Sequence, residues 1–86
     1  MLTIKYHTAF KKDYKRLKKR GYDLRKLENV ITLLAEGKEL PAAYRDHILL
    51  GDYSGCHECH ISPEWLLVFE ILEIDLLLFL TRTGPH

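Results

Sequence analysis

The hydrophobic period changes at Pro41, and that change limits the folds open to this chain more than any other feature. Before it, the apolar residues recur at helical spacing: Phe10, Tyr14 and Leu17 form one stripe, and Leu24, Leu27, Val30, Ile31 and Leu34 a second. Beyond Pro41 they fall into short runs, Ile48-Leu49-Leu50, Cys56 to Ile61, Trp65 to Ile71 and Leu76 to Arg82. These are separated by Gly51 to Gly55, by Ser62-Pro63 and by a tight link near Glu73. Short runs between turn residues are the layout of an antiparallel meander. The link is out of character, because Leu72 and Ile74 make it apolar.

Ahead of the helices, Leu2-Thr3-Ile4-Lys5-Tyr6 alternates as a half-buried strand does, and Thr8 is read as the N-cap of the first helix. Gly21 ends that helix, Asp23 caps the next, and Gly37 and Pro41 stop it. Two helices joined by a short Gly-containing turn pack as a hairpin. The order strand, helix, helix, strands predicts an α+β fold: a twisted, mainly antiparallel sheet with the hairpin on one face and the other face left for a site. A chain of 86 residues is expected to make a single domain, 1–86, with little room for accessory modules.

The net charge of +1 conceals a strong polarity, since residues 1 to 26 carry a local +8 and the remainder about −7. Lys11, Lys12, Lys15, Lys18 and Lys19 fall outside the apolar stripe of the first helix, a density of one sign that attracts phosphate or an acidic partner. No apolar leader follows Met1, and the apolar runs near Leu66 and Leu76 are broken by Glu70, Glu73 and Asp75, so neither export nor membrane spanning is expected. Cys56 and Cys59 are too close in sequence to staple a loop, and a cytoplasmic, reduced state is the expectation.

Cys56-His57-Glu58-Cys59-His60 matches a c-type haem anchor and half of a zinc site. Haem attachment of this kind requires export. Zinc usually draws two separated ligand pairs, whereas this single cluster lies in an extended run, where alternation sends Cys56, Glu58 and His60 to one face and His57 and Cys59 to the other. No metal and no small-molecule cofactor is therefore expected. His47, His60 and His86 stand at the ends of sheet elements, where imidazoles can exchange protons near neutrality, while His7 and His57 are read as ordinary structural histidines.

Three blocks, Tyr44-Arg45-Asp46-His47-x-Leu49-x-Gly51, Gly55-Cys56-His57-Glu58-Cys59-His60-Ile61-x-Pro63-Glu64-Trp65-Leu66-Leu67-Val68 and Arg82-Thr83-Gly84-x-His86, closely resemble the YafQ branch of the RelE/ParE toxin superfamily. The resemblance covers nearly the whole chain. It implies a RelE-like fold and a toxin of a type II toxin–antitoxin pair: a metal-independent, ribosome-dependent endoribonuclease that enters the ribosomal A site, cleaves mRNA and is held inactive by an antitoxin of the DinJ kind. It also implies functional positions at His47, His60, Glu64 (where an Asp is usual), Trp65 and His86. Within it the cysteines need no metal, and His57 stands where an Arg is common. Pro85 replaces a usual Thr, and relatives continue past the position of His86 to a Leu-Phe ending, so a reduced activity is the expectation.

Metal-free cleavage can use the RNA's own 2′-hydroxyl, with a base to deprotonate it, an acid to protonate the departing 5′-oxygen and a cation for the phosphorane. Glu64 or His60 is expected as base, His86 as acid and Arg82 as the cation. The lysines of the first helix, with Trp65, are expected to contact RNA and the ribosome. Two other readings stay open: a ParE-like toxin that inhibits gyrase by binding alone, or a nucleic-acid-binding module that has lost cleavage.

Overall fold

A computed structural model of the chain describes residues 1–51 and 55–85. Strand β1 (Thr3–Tyr6) leads into α1 (Thr8–Lys19) and α2 (Leu24–Ala35), then a single 3-10 turn (Ala42–Tyr44) and strands β2 (His47–Ile48), β3 (His57–Ser62), β4 (Trp65–Leu72) and β5 (Leu77–Pro85). The five strands form one sheet in the order β1-β5-β4-β3-β2, antiparallel except where β1 pairs parallel with residues 77–80 of β5. The expected α+β architecture is the observed one.

Both helices end on glycine. Gly21 and Gly37 have φ of 80° and 77°, which lets Tyr22 N–H reach the Leu17 carbonyl and Lys38 N–H reach the Leu33 carbonyl, each at 3.1 Å. These bonds satisfy carbonyls that the helix ends would otherwise orphan. At its start α2 is capped by Asp23, whose Oδ1 accepts from Arg25 N–H at 3.2 Å, as expected. The cap of α1 is His7, not Thr8: His7 Nδ1 accepts from Ala9 N–H at 3.1 Å, so the imidazole does the work expected of the hydroxyl one residue later.

The hairpin covers one face of the sheet. Phe10 and Leu17 of α1 and Leu27, Val30, Ile31 and Leu34 of α2 meet Cys59, Ile61, Trp65, Leu67, Phe69, Leu78 and Leu80 in one core. Alternation along β3 sends Cys59 inward and leaves Glu58 and His60 on the open face. Burial pushes the Cys59 thiol up to about 12, with the Asp46 and Glu58 charges adding to the effect. Cys59 will therefore resist iodoacetamide in the native protein and react in denaturant; mass spectrometry of native Cys59 carrying the adduct would contradict this burial.

The apolar β4–β5 link has a partial explanation. Leu76 adopts φ 54°, a left-handed conformation unfavourable for a leucine, and its carbonyl accepts from Thr3 N–H at 2.8 Å. That bond starts the parallel pairing of β1. Nothing in the structure explains why Ile74, 98% exposed in the same link, is apolar.

Candidate active site

A β-bulge decides where Arg82 points. Along β4 and β5 the register runs Phe69 with Leu80 and then Val68 with Arg82, leaving Thr81 as the extra residue. Without it, Leu78, Leu80 and Arg82 would share the core face; the bulge reverses the alternation, so Thr83 turns inward and Arg82 turns toward the open side.

The rest of β5 extends beyond the end of β1, and α1 lies beside it. Asp13, the one acidic residue of α1, is 4% exposed and receives three hydrogen bonds from β5. Arg82 Nε donates to Oδ2 at 2.7 Å, Arg82 Nη2 donates to Oδ1 at 3.1 Å, and Thr83 N–H donates to Oδ2 at 3.2 Å. Arg16 stands 3.8 Å from the same carboxylate. Burial works to raise the Asp13 pKa. The hydrogen bonds from Arg82 and Thr83 and the charges of Arg82 and Arg16 outweigh it and hold the carboxyl below its ordinary value.

Between α1 and the open face of the sheet lies a cleft of about 470 Å³. Arg16, Arg20 and Arg82 bring three guanidinium groups to it, Leu49, Leu66 and Val68 give it an apolar floor, and Glu58 stands at the β2 side. His47 faces Glu58 across the β2–β3 register, with Nε2 3.3 Å from Oε1. Its other nitrogen, Nδ1, is 2.8 Å from the Arg45 carbonyl. A carbonyl can only accept, so Nδ1 carries a proton and Nε2 is the nitrogen left to gain or lose one. His60 is half-buried, in register with Leu66, and lies two residues beyond Glu58 on the same face, about 6.6 Å along the strand.

Glu64 is exposed in the turn between β3 and β4, beside the Trp65–Pro85 pair that closes the β4–β5 ladder. His86, the expected acid, lies outside the described residues. Lys11, Lys12, Lys15, Lys18 and Lys19 are all exposed on α1, and Lys11 and Lys15 line a separate groove with Tyr6, Phe10, Tyr14 and Glu28.

Trp65 requires a correction. Expected to contact RNA, it is 3% exposed in the core, edge-on to Tyr22, and its Nε1 donates to Thr83 Oγ1 at 2.9 Å. Strand alternation put it on the helix side with Leu67 and Phe69, where no base can stack on it. Its indole instead fixes Thr83, whose hydroxyl donates on to the Leu66 carbonyl at 2.8 Å and whose N–H meets Asp13.

Sequence reasoning missed Asp13, Arg16, Arg20 and Glu58. A signal for the first was present: Asp13 is three residues after Phe10 and four before Leu17, on the apolar stripe of a helix otherwise full of lysine. Among the described residues, no three His, Cys, Asp or Glu side chains are grouped so as to hold a metal ion, and no helix is long and apolar enough to cross a membrane.

Residues 2–86 match the family described as the bacterial toxin of type II toxin–antitoxin system, YafQ. The chain is 39% identical over 84 residues to the mRNA interferase toxin YafQ of Escherichia coli strain K12, covering 96% of this chain and 89% of that protein. The crystal structure of a metal-bound toxin from Helicobacter pylori superposes with a TM-score of 0.93 at 43% identity, covering 100% of this chain and 96% of that one. A chain of the Escherichia coli DinJ–YafQ complex superposes with a TM-score of 0.90 at 38% identity, covering 100% and 94% respectively. With nearly full coverage in sequence and in fold, this chain belongs to the YafQ family of bacterial type II toxin–antitoxin toxins.

Proposed function

We propose that this chain is an mRNA interferase: an endoribonuclease that cuts mRNA on the ribosome, in the A site, within the cytoplasm, and is restrained by a DinJ-like antitoxin. The observation that carries the reading is the cleft lined by Arg82, gripped by Asp13, and by Glu58, on the same open face of the sheet that carries His47 and His60. Support also comes from the name of the Escherichia coli relative, an mRNA interferase toxin, and from the DinJ–YafQ complex.

Three guanidinium groups suit the phosphates on either side of a scissile bond, because each offers planar, paired donors. The chemistry proposed is attack by the 2′-hydroxyl on the adjacent phosphorus. His60 or Glu64 removes the hydroxyl proton, Arg82 stabilises the extra charge on the phosphorane, and His86 protonates the departing 5′-oxygen. His47 contributes its Nε2, which faces Glu58, on a ring whose tautomer the Arg45 carbonyl fixes. No step requires a metal, since the nucleophile belongs to the RNA. Trp65 acts from the core by holding Thr83, and so the backbone beside Arg82.

Primer extension on mRNA translated in a purified system tests this reading. Discrete breaks that need ribosomes, with 2′,3′-cyclic phosphate ends, are expected. Ends bearing a 3′-hydroxyl would replace the 2′-hydroxyl mechanism with attack by water, and an absence of breaks would leave a binding protein.

The exposed lysines of α1 are proposed to hold ribosomal RNA phosphates, which position the toxin without reading sequence. Reversing Lys12, Lys18 and Lys19 to Glu is expected to weaken ribosome binding by at least about tenfold at moderate salt and to flatten its salt dependence. Sedimentation with ribosomes measures it, and binding equal to the parent would remove the lysines from the interface.

A further inference from the structure

We propose that Asp46 and His57 form a positioning pair that ties His47 to the core and sets its ring beside Glu58 at the edge of the cleft. The proposal rests on the reading of His47 as part of the active site. His57 does not touch the cleft: it lies on the helix side of β3, beside a separate recess lined by Leu34, Leu40 and Ile71. Its Nδ1 donates to Asp46 Oδ1 at 2.8 Å, and its ring stacks on Phe69 with centroids 5.3 Å apart and planes 20° from parallel. Phe69 is fully buried. The link therefore runs from the core through Phe69 and His57 to Asp46, the residue bonded directly to His47.

His47 needs such an anchor. Strand β2 has two residues, both exposed, and pairs with β3 only through His47–Glu58 and Ile48–His57 before Leu49 N–H meets the Cys56 carbonyl at 2.8 Å. Just before it, Arg45 adopts φ 52°, a left-handed conformation that a non-glycine residue holds only where its surroundings impose it. The Arg45 carbonyl that fixes the His47 tautomer belongs to this same segment and would move with it. Consecutive residues on extended backbone point to opposite faces, so Asp46 can reach through to the helix side while His47 faces Glu58 on the open side. Asp46 thus pins the segment from behind, where substrate does not interfere.

The pair is tested in the full chain with His57→Phe, which can keep a ring on Phe69 but donates nothing, and His57→Gln, which restores a donor. Long-range proton–nitrogen NMR of the His47 ring is read without RNA. Ribosomal cleavage is read alongside it. In the parent one slowly exchanging Nδ1–H tautomer is expected. In His57→Phe that signal broadens and kcat falls about tenfold with KM within about twofold, because a small displacement of a reacting group costs rate more than binding. His57→Gln, and a parental thermal midpoint in it, should recover most of both. Parental His47 signals and kcat in His57→Phe would overturn the pair, as would a Gln variant as impaired as the Phe variant. If His57→Phe fails to fold, Asp46→Ala, which leaves the stacked ring in place, must show the same broadening. A parent that does not cleave RNA would sink the nuclease reading alone, and the NMR arm would still decide the pair.

Discussion

Asp13→Ala will lower stability by about 2 kcal/mol and cleavage by about a hundredfold, the largest combined effect expected of any residue outside the reacting groups. Three donors converge on this carboxylate, from Arg82 and from the Thr83 backbone, across a sequence separation of 69 and 70 residues. Removing it leaves Thr83 N–H buried without its acceptor, which accounts for most of the stability loss. In a domain of this size the loss shifts the thermal midpoint by about 10 °C. The catalytic loss has a different origin. Arg82 is about half exposed, so without Asp13 the two hydrogen bonds that orient its guanidinium on the cleft side are gone, and the donors preorganised toward the phosphorane lose that alignment. Asp13→Asn separates the two effects: its amide oxygen can still accept from Thr83, recovering stability, but its uncharged side chain no longer grips the guanidinium. Calorimetry and single-turnover cleavage together read both, and an alanine variant with parental rate would show that Arg82 needs no anchor.

The same carboxylate gives stability a definite pH dependence. Its pKa in the folded protein lies below the ordinary 3.8, so the unfolded chain binds the proton first as pH falls. The contribution of Asp13 is fully present above about pH 4 and disappears as pH drops through the lowered folded value. In Asp13→Ala that part of the acid limb should be missing from the unfolding curve.

Most of the fold was legible because periodicity reports burial. The stripes at Phe10 to Leu17 and Leu24 to Leu34 located both helices, and the runs after Pro41 located four strands to within a few residues. What pattern could not show was how strands meet. The parallel pairing of β1 with β5 depends on a bond from Thr3 to the Leu76 carbonyl, and the outward turn of Arg82 depends on one extra residue at Thr81. Neither leaves a local trace in composition. Trp65 shows the same gap, since an aromatic after a turn suits a surface platform as well as a core, and only the face it shares with Leu67 and Phe69 decides. His57 is the reverse case: read as ordinary from its surroundings in sequence, it acquires a partner only when folding brings Asp46 against it.

His60→Gln should reduce cleavage about a hundredfold or more while leaving the thermal midpoint and ribosome binding near those of the parent. His60 is carried on the six-residue strand β3, paired with Leu66 of β4 just before the β3–β4 register shifts, and flanked by Cys59 and Ile61 in the core, so its backbone is held by the sheet and by its buried neighbours. Glutamine keeps polarity and approximate size but cannot take up a proton near neutrality, which isolates proton transfer from positioning. The contrast with Glu64→Gln then assigns the base. Glu64 sits on an exposed turn, where a carboxylate stays hydrated and has more freedom than a side chain on a strand. A deep loss for His60→Gln with a modest one for Glu64→Gln puts the base on the strand. The opposite pattern moves it to the turn, and parental rates in both variants would remove β3 and its turn from the chemistry, leaving Arg82, His47 and His86 to account for any cleavage.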